Sequence, residues 1–144
     1  MSIPSPQTPI SKTGGALEGI TVIELCGARG HFMGKLMGDM GARVIKIEPM
    51  GGSAERQIGP FMHDEPHPDR SLYFWSHNTS KESLEINIED SEGQEVIKAL
   101  ASTADVVLED FAPGYLPSLG LGYRDLSDKN QRLVMTSLTA FGQD

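Results

Sequence analysis

Five short runs of aliphatic and β-branched residues, separated by segments of helical period, constrain the fold of this chain more than any other feature. The first, Ile20-Thr21-Val22-Ile23-Glu24-Leu25, stops at Gly27 and has the profile of a strand buried in a sheet. A helix is expected over residues 31 to 40, with Phe32, Leu36, Met37 and Met40 at helical spacing and Gly41 as its stop. Arg43 to Glu48 is the second strand. Ser83 to Ile88 alternates polar and apolar residues as a half-buried third strand should. The fourth strand is read over Asp105 to Glu109 and the fifth over Arg132 to Leu138.

Between these runs, Ser91-Glu92-Gly93-Gln94 has the Ser-x-x-Gln spacing of a capping box and opens a helix through Val96, Ile97 and Leu100. Ser71 to His77 reads as one or two helical turns anchored by Leu72, Phe74 and Trp75. Short helices are expected after Pro113-Gly114 and from Tyr123. Residues 49 to 70, rich in proline, form a long surface excursion, a length that is often functional. Residues 1 to 16 read as a flexible leader ahead of one domain over 17 to 144. Strands alternating with helices imply right-handed crossovers, hence an α/β, Rossmann-like, mainly parallel sheet with helices on both faces, incomplete at its carboxyl end. Such sheets bind ligands beyond the carboxyl ends of their strands. Attention therefore falls on residues 26 to 31, 48 to 56, 88 to 91 and 109 to 114.

A formal net charge of −8 argues against nucleic acid as a partner, because that binding rests on neutralising phosphates with Lys and Arg. It leaves room for an anionic small ligand held by local cations and backbone N–H groups. No apolar run approaches the roughly 18 residues of a membrane span. The start lacks a basic region followed by an apolar one, so no secretory signal is expected. The single Cys26 excludes an internal disulfide framework and fits a cytoplasmic location.

Cys26-Gly27-Ala28-Arg29-Gly30-His31 joins the first strand to its helix, and its glycines let the backbone come close to a ligand. Arg29 offers a bidentate phosphate contact. A tight turn with no ligand fits the same residues. Gly30, Gly34, Gly38 and Gly41 leave one helix face bare, which points to close packing on a sheet or a subunit. Cys26 reads as a small buried hydrophobe rather than a nucleophile. His63 and His67 sit in the proline-rich loop without the regularity of a metal site, and no metal is expected. His31 and His77 read as isolated histidines. Phe111 either stacks on a purine or plugs the core. A dinucleotide-binding domain is the weaker reading, since Gly-x-Gly-x-x-Gly is absent.

Several segments in order carry a more specific signal. They are Leu17 to Leu25, Met40 to Pro49 with Gly51-Gly52, Asn78 with Lys81 to Leu84, and Ala104 to Phe111 with Pro113-Gly114. Leu119 to Tyr123 and Ser137 to Gln143 complete the series. From Leu17 onward the chain resembles the class III (CaiB/BaiF-type) CoA-transferases. The resemblance implies a coenzyme-A-binding domain of a two-domain chain that interlocks with a second copy as a homodimer. It implies transfer of CoA between an acyl-CoA and a carboxylic acid through a catalytic aspartate. Related enzymes racemise 2-methylacyl-CoA thioesters through a His and an Asp. In both groups the catalytic residues lie beyond Phe141-Gly142-Gln143, so Asp144 is not assigned that role and the segment alone is expected to be inactive.

The coenzyme-binding positions that the resemblance implies are Gly27, Ala28, Arg29, Pro49, Ile86, Asp110 and Phe111. Asp110 stands where many members have Asn, and the first loop is one residue shorter than is usual. Glu89, Ser118 and Thr139 occupy places where some transferases carry basic residues. A charged hydrogen bond to phosphate lost at such a place costs about 1.5–3 kcal/mol. A non-catalytic, CoA-binding or dimer-forming member of the same family is the alternative reading.

Overall fold

The computed structural model of the protein describes residues 14–143; the leader read over residues 1 to 16 lies outside them except for its last three. Five strands form one sheet: β1 (Thr21–Leu25), β2 (Arg43–Glu48), β3 (Lys81–Glu85), β4 (Val106–Glu109) and β5 (Val134–Ser137). Their order is β3-β2-β1-β4-β5, and every neighbouring pair is parallel. The helices are α1 (His31–Asp39), α2 (Leu72–Asn78), α3 (Ser91–Ala101), α4 (Tyr115–Ser118) and α5 (Tyr123–Ser127). Three short 3-10 turns lie in the excursion between β2 and α2.

Side-chain alternation along the central strands divides the interior in two. Ile23, Leu25, Ile45, Ile47 and Val107 face a core closed by Ile97 and Ala101 of α3, Leu116 of α4 and Leu126 of α5. Val22, Cys26, Val44 and Leu108 face a smaller core closed by Met33 and Met37 of α1. Helices therefore cover both faces, as the strand–helix alternation requires.

The helical period of α1 is right, but the stripe that meets the sheet is not the expected one. Phe32, Leu36 and Met40 are about half exposed, while Gly34 is buried. A Cβ on Gly34 would fall 1.7 Å from a Glu24 carboxylate oxygen, and one on Gly38 2.8 Å from the Ser80 carbonyl oxygen. The bare glycine face thus packs against the sheet, and the bulky apolar residues are turned outward. Gly41 ends the helix region at φ +101°, a left-handed conformation suited to glycine.

Three further readings shift. The third strand begins at Lys81 rather than Ser83, because the Lys81 ammonium is anchored beneath α1; the chain leaves the sheet after the Ile86 N–H donates to the Glu48 carbonyl at 2.9 Å. As an edge strand it is largely exposed, Leu84 included. The cap of α3 is Asp90, whose side chain accepts from the Gly93 N–H at 2.7 Å, not Ser91. In α2 only Phe74 is buried; Leu72 and Trp75 are partly open to solvent.

Candidate ligand-binding crevice

The strand order reverses between β1 and β4, and ligands of open α/β sheets bind outside the carboxyl ends of strands at such a point. The Cys26–Gly30 loop after β1 and Asp110 after β4 face each other here. The Asp110 carboxylate accepts from the Gly27 N–H at 3.0 and 3.1 Å and from the Gly30 N–H at 3.2 Å. The Arg29 guanidinium donates to the Asp110 carbonyl oxygen. Two N–H groups of this loop, those of Gly27 and Gly30, are thus turned onto a carboxylate of the chain itself. The turn after Pro113-Gly114 offers no equivalent, since α4 spans four residues.

Beside this junction lies a cleft of about 310 Å³ over the ends of β1 to β4. Leu25, Ile47, Ile86, Ile88 and Phe111 make its walls, with Pro49, Glu48, Asn87, Glu89 and Tyr115 at the remaining positions. Phe111 and Tyr115 pack against each other with centroids 4.9 Å apart, and the Tyr115 hydroxyl donates to a Glu89 carboxylate oxygen at 3.0 Å. A second hollow of about 260 Å³ continues toward Cys26, Gly27, Glu55 and Asp110, and a third of about 390 Å³ toward Arg29 and Thr139–Gly142. Phe111 borders all three. It also packs on the α3-side core, so the two readings of that residue are compatible.

Beneath α1 the sheet carries charge as well as hydrocarbon. Glu24, Lys46 and Lys81 have almost fully buried side chains. Lys46 Nζ lies 3.1 Å from Glu24 Oε1 and donates to the Cys26 carbonyl at 2.7 Å. Lys81 Nζ donates to Glu24 Oε1 at 2.9 Å, to the Asn78 side chain at 2.9 Å and to the His31 carbonyl at 2.6 Å. It also lies 2.7 Å from Glu24 Oε2, an ion pair without an aligned hydrogen bond. The two ammonium groups therefore hold both ends of the 26–31 loop from below. Burial lowers the Lys81 pKa, a tendency that Glu24 opposes.

A second buried ion pair fixes the excursion after β2. Glu48 accepts two hydrogen bonds from Arg56 at 2.7 Å each, another from the Ser53 N–H at 2.8 Å, and one from the Ser83 hydroxyl. The Arg56 guanidinium lies 3.9 Å above the Phe74 ring centre. Burial would raise the Glu48 pKa, but Arg56, Ser83 and Ser53 outweigh it and hold the carboxyl at about 2. Burial, with Asp110 and Glu24 nearby, pushes the Cys26 thiol far above its ordinary range, so it stays protonated at neutral pH. His31 is not isolated. Its ring stacks on His77 at 4.4 Å, its Nδ1 has no hydrogen-bond partner among the described residues, and burial together with His77, Lys46 and Lys81 holds its pKa at about 4.

The CoA-transferase family III model matches residues 17–144. The chain belongs to this family. It is 38% identical over 122 residues to the BbsE subunit of succinyl-CoA:(R)-benzylsuccinate CoA-transferase of Thauera aromatica, covering 85% of the chain and 30% of the relative. It is 38% identical over 130 residues to human succinyl-CoA:glutarate CoA-transferase, covering 88% and 28%. Among solved structures, a CaiB/BaiF family protein from Brucella suis superposes with a TM-score of 0.81 at 34% identity, over 91% of this chain and 35% of that one. The chain thus spans about a third of the length of the family members it matches.

Within this family III fold, the seven sequence-predicted positions fall around one crevice. Pro49, Ile86 and Phe111 border the cleft, Gly27 and Asp110 the adjoining hollow, and Arg29 the third, with Ala28 exposed beside it on the same loop. Sequence reasoning missed the two buried charge networks and Tyr115. The available signal was charge inside runs otherwise fit for a buried sheet, Glu24 in the first and Lys46 and Glu48, two apart, in the second. Among the described residues, no cluster of three or more His, Cys, Asp or Glu side chains is placed to hold a metal, and no helix is long and apolar enough to cross a membrane.

Proposed function

We propose that the chain provides the coenzyme-A seat of an acyl-CoA transferase that moves CoA between carboxylic acids. The observation that carries this reading is the apolar cleft at the strand-order reversal, walled by Ile86, Ile88 and Phe111, in a member of CoA-transferase family III. A purine fits such a slot between aliphatic and aromatic walls. In this reading Pro49, Ile86 and Phe111 hold the base. Gly27, Ala28 and Arg29 flank the path of the phosphates, and Asp110 sets the shape of that loop. No residue of the chain is assigned to the chemical step. A buried, protonated Cys26 is unsuited to it. The intact protein acts in the cytoplasm as an interlocked homodimer, with an acyl-CoA as donor and a carboxylic acid as acceptor. Relatives named for succinyl-CoA:glutarate and acetyl-CoA:oxalate transfer suggest dicarboxylates as the first acceptors to try.

The test is thioester exchange by the intact protein, followed by mass spectrometry of the CoA esters formed from succinyl-CoA and a panel of carboxylic acids. New thioesters are expected, and Ile86→Asp should abolish CoA binding measured by calorimetry. A second reading, a CoA-binding member without transfer activity, is favoured by Asp110 occupying the loop N–H groups. Micromolar CoA binding with no exchange across the panel would select it.

A further inference from the structure

The hollow that continues from the cleft toward Gly27 holds a carboxylate that the fold does not use. Glu55 is only 8% exposed and lines this hollow, yet its carboxylate takes part in no hydrogen bond or ion pair among the described residues. Its backbone, by contrast, is fixed. The Glu55 carbonyl accepts from the Ile58 N–H at 3.2 Å and from the Ser71 hydroxyl at 3.3 Å, and the next residue, Arg56, is bound to Glu48. The side chain is aimed at the bare face of Gly27. A Cβ there would lie 3.1 Å from Glu55 Oε1 and 3.8 and 4.0 Å from the two Asp110 carboxylate oxygens. Asp110 already accepts from the Gly27 and Gly30 N–H groups, so of the two carboxylates Glu55 is the one without a donor. A buried acceptor left this way is unfavourable to the fold by itself and favours a ligand that donates to it.

We infer that Glu55 is the acceptor for an amide N–H of the coenzyme's pantetheine arm, and so determines specificity for CoA over nucleotides that lack the arm. This rests on the cleft being the seat of the coenzyme. Leu25, Ile47, Pro49 and Phe111 wall both the cleft and the hollow, so one ligand can run from the first into the second. Beyond its purine, CoA has phosphates to place and a neutral arm that carries amide N–H donors. Two carboxylates converging on Gly27 exclude the phosphates from this hollow, whereas Arg29 on the neighbouring one admits them. The hydrocarbon of the arm suits the shared apolar walls, and its amide supplies the donor that Glu55 lacks. A hydrogen bond to a charged acceptor corresponds to roughly ten- to hundredfold in affinity.

Calorimetry on the intact protein with CoA and with adenosine 3′,5′-bisphosphate, which keeps the purine and the ribose phosphate but has no arm, tests the inference. Glu55→Met should weaken CoA about tenfold or more and leave the bisphosphate within about twofold. Glu55→Gln, which retains a carbonyl oxygen, should lose less. Neither variant should lower the urea midpoint, because neither strands a partner. An equal loss for both nucleotides, or CoA binding unchanged in Glu55→Met, overturns the inference and leaves the cleft as the coenzyme seat. If neither nucleotide binds the unaltered protein, the cleft is not that seat, and the role of Glu55 falls with it.

Discussion

A carboxylate with no water around it takes its compensation from the protein, and Glu48 does so through Arg56. Arg56→Met should therefore destabilise the chain by about 3–5 kcal/mol, the range for removing one partner of a buried pair. Glu48→Gln combined with Arg56→Met should cost clearly less than Arg56→Met alone, because no charge is then stranded. Urea unfolding of the three variants checks both statements. Little of this was legible in the sequence. Pattern reading assigns an interior by hydrophobicity, and a Glu or Lys inside a strand reads as a solvent-facing position. Lys46 and Glu24 face each other across β1 and β2, a register that becomes visible only once the strands are paired. Gly27, Arg29 and Asp110 were legible as neighbours of a crevice, but the bonds between them depend on a contact over more than eighty residues.

At the level of elements, sequence and structure agree where a period is long and regular, and part company at ends and edges. The β1, β2 and β4 runs emerge within a residue or so of where they are read, since their burial is set by the runs themselves. The start of β3 was hidden because it is decided by Lys81 reaching Glu24, and the bare face of α1 because a glycine's role is set by what approaches it. The cap of α3 gives a direct test. Asp90→Ala should cost about 1 kcal/mol, whereas Ser91→Ala should leave the midpoint of thermal or urea unfolding nearly unchanged. Equal losses from both would restore the Ser91 capping box.

For the whole molecule, pH and association follow from features already described. The folded-state pKa values of Glu48, about 2, and His31, about 4, both lie below their unfolded values. The unfolded chain therefore binds more protons in acid, and stability falls as pH drops. The His31 contribution is complete above about 6.5 and is lost as pH falls through 4; that of Glu48 is complete above about 4.5 and is lost toward 2. Urea midpoints at pH 7, 5.5, 4 and 3 should decline steadily, and His31→Gln should flatten the segment between 6.5 and 4. Phe32, Leu36 and Met40 on α1, Val134 on the edge strand β5 and Phe141 are exposed apolar groups. The 144-residue chain studied alone should self-associate. Light scattering should show larger species that shrink in Leu36→Glu combined with Val134→Lys; a monodisperse monomer of the unaltered chain would contradict this. Asp110, finally, stitches the end of β4 to the loop after β1, while Lys46 and Lys81 grip that loop from beneath. The floor of the crevice has no slack. A ligand of the proposed coenzyme class would meet a preformed surface there, with little of the ordering cost that a loose loop adds to binding.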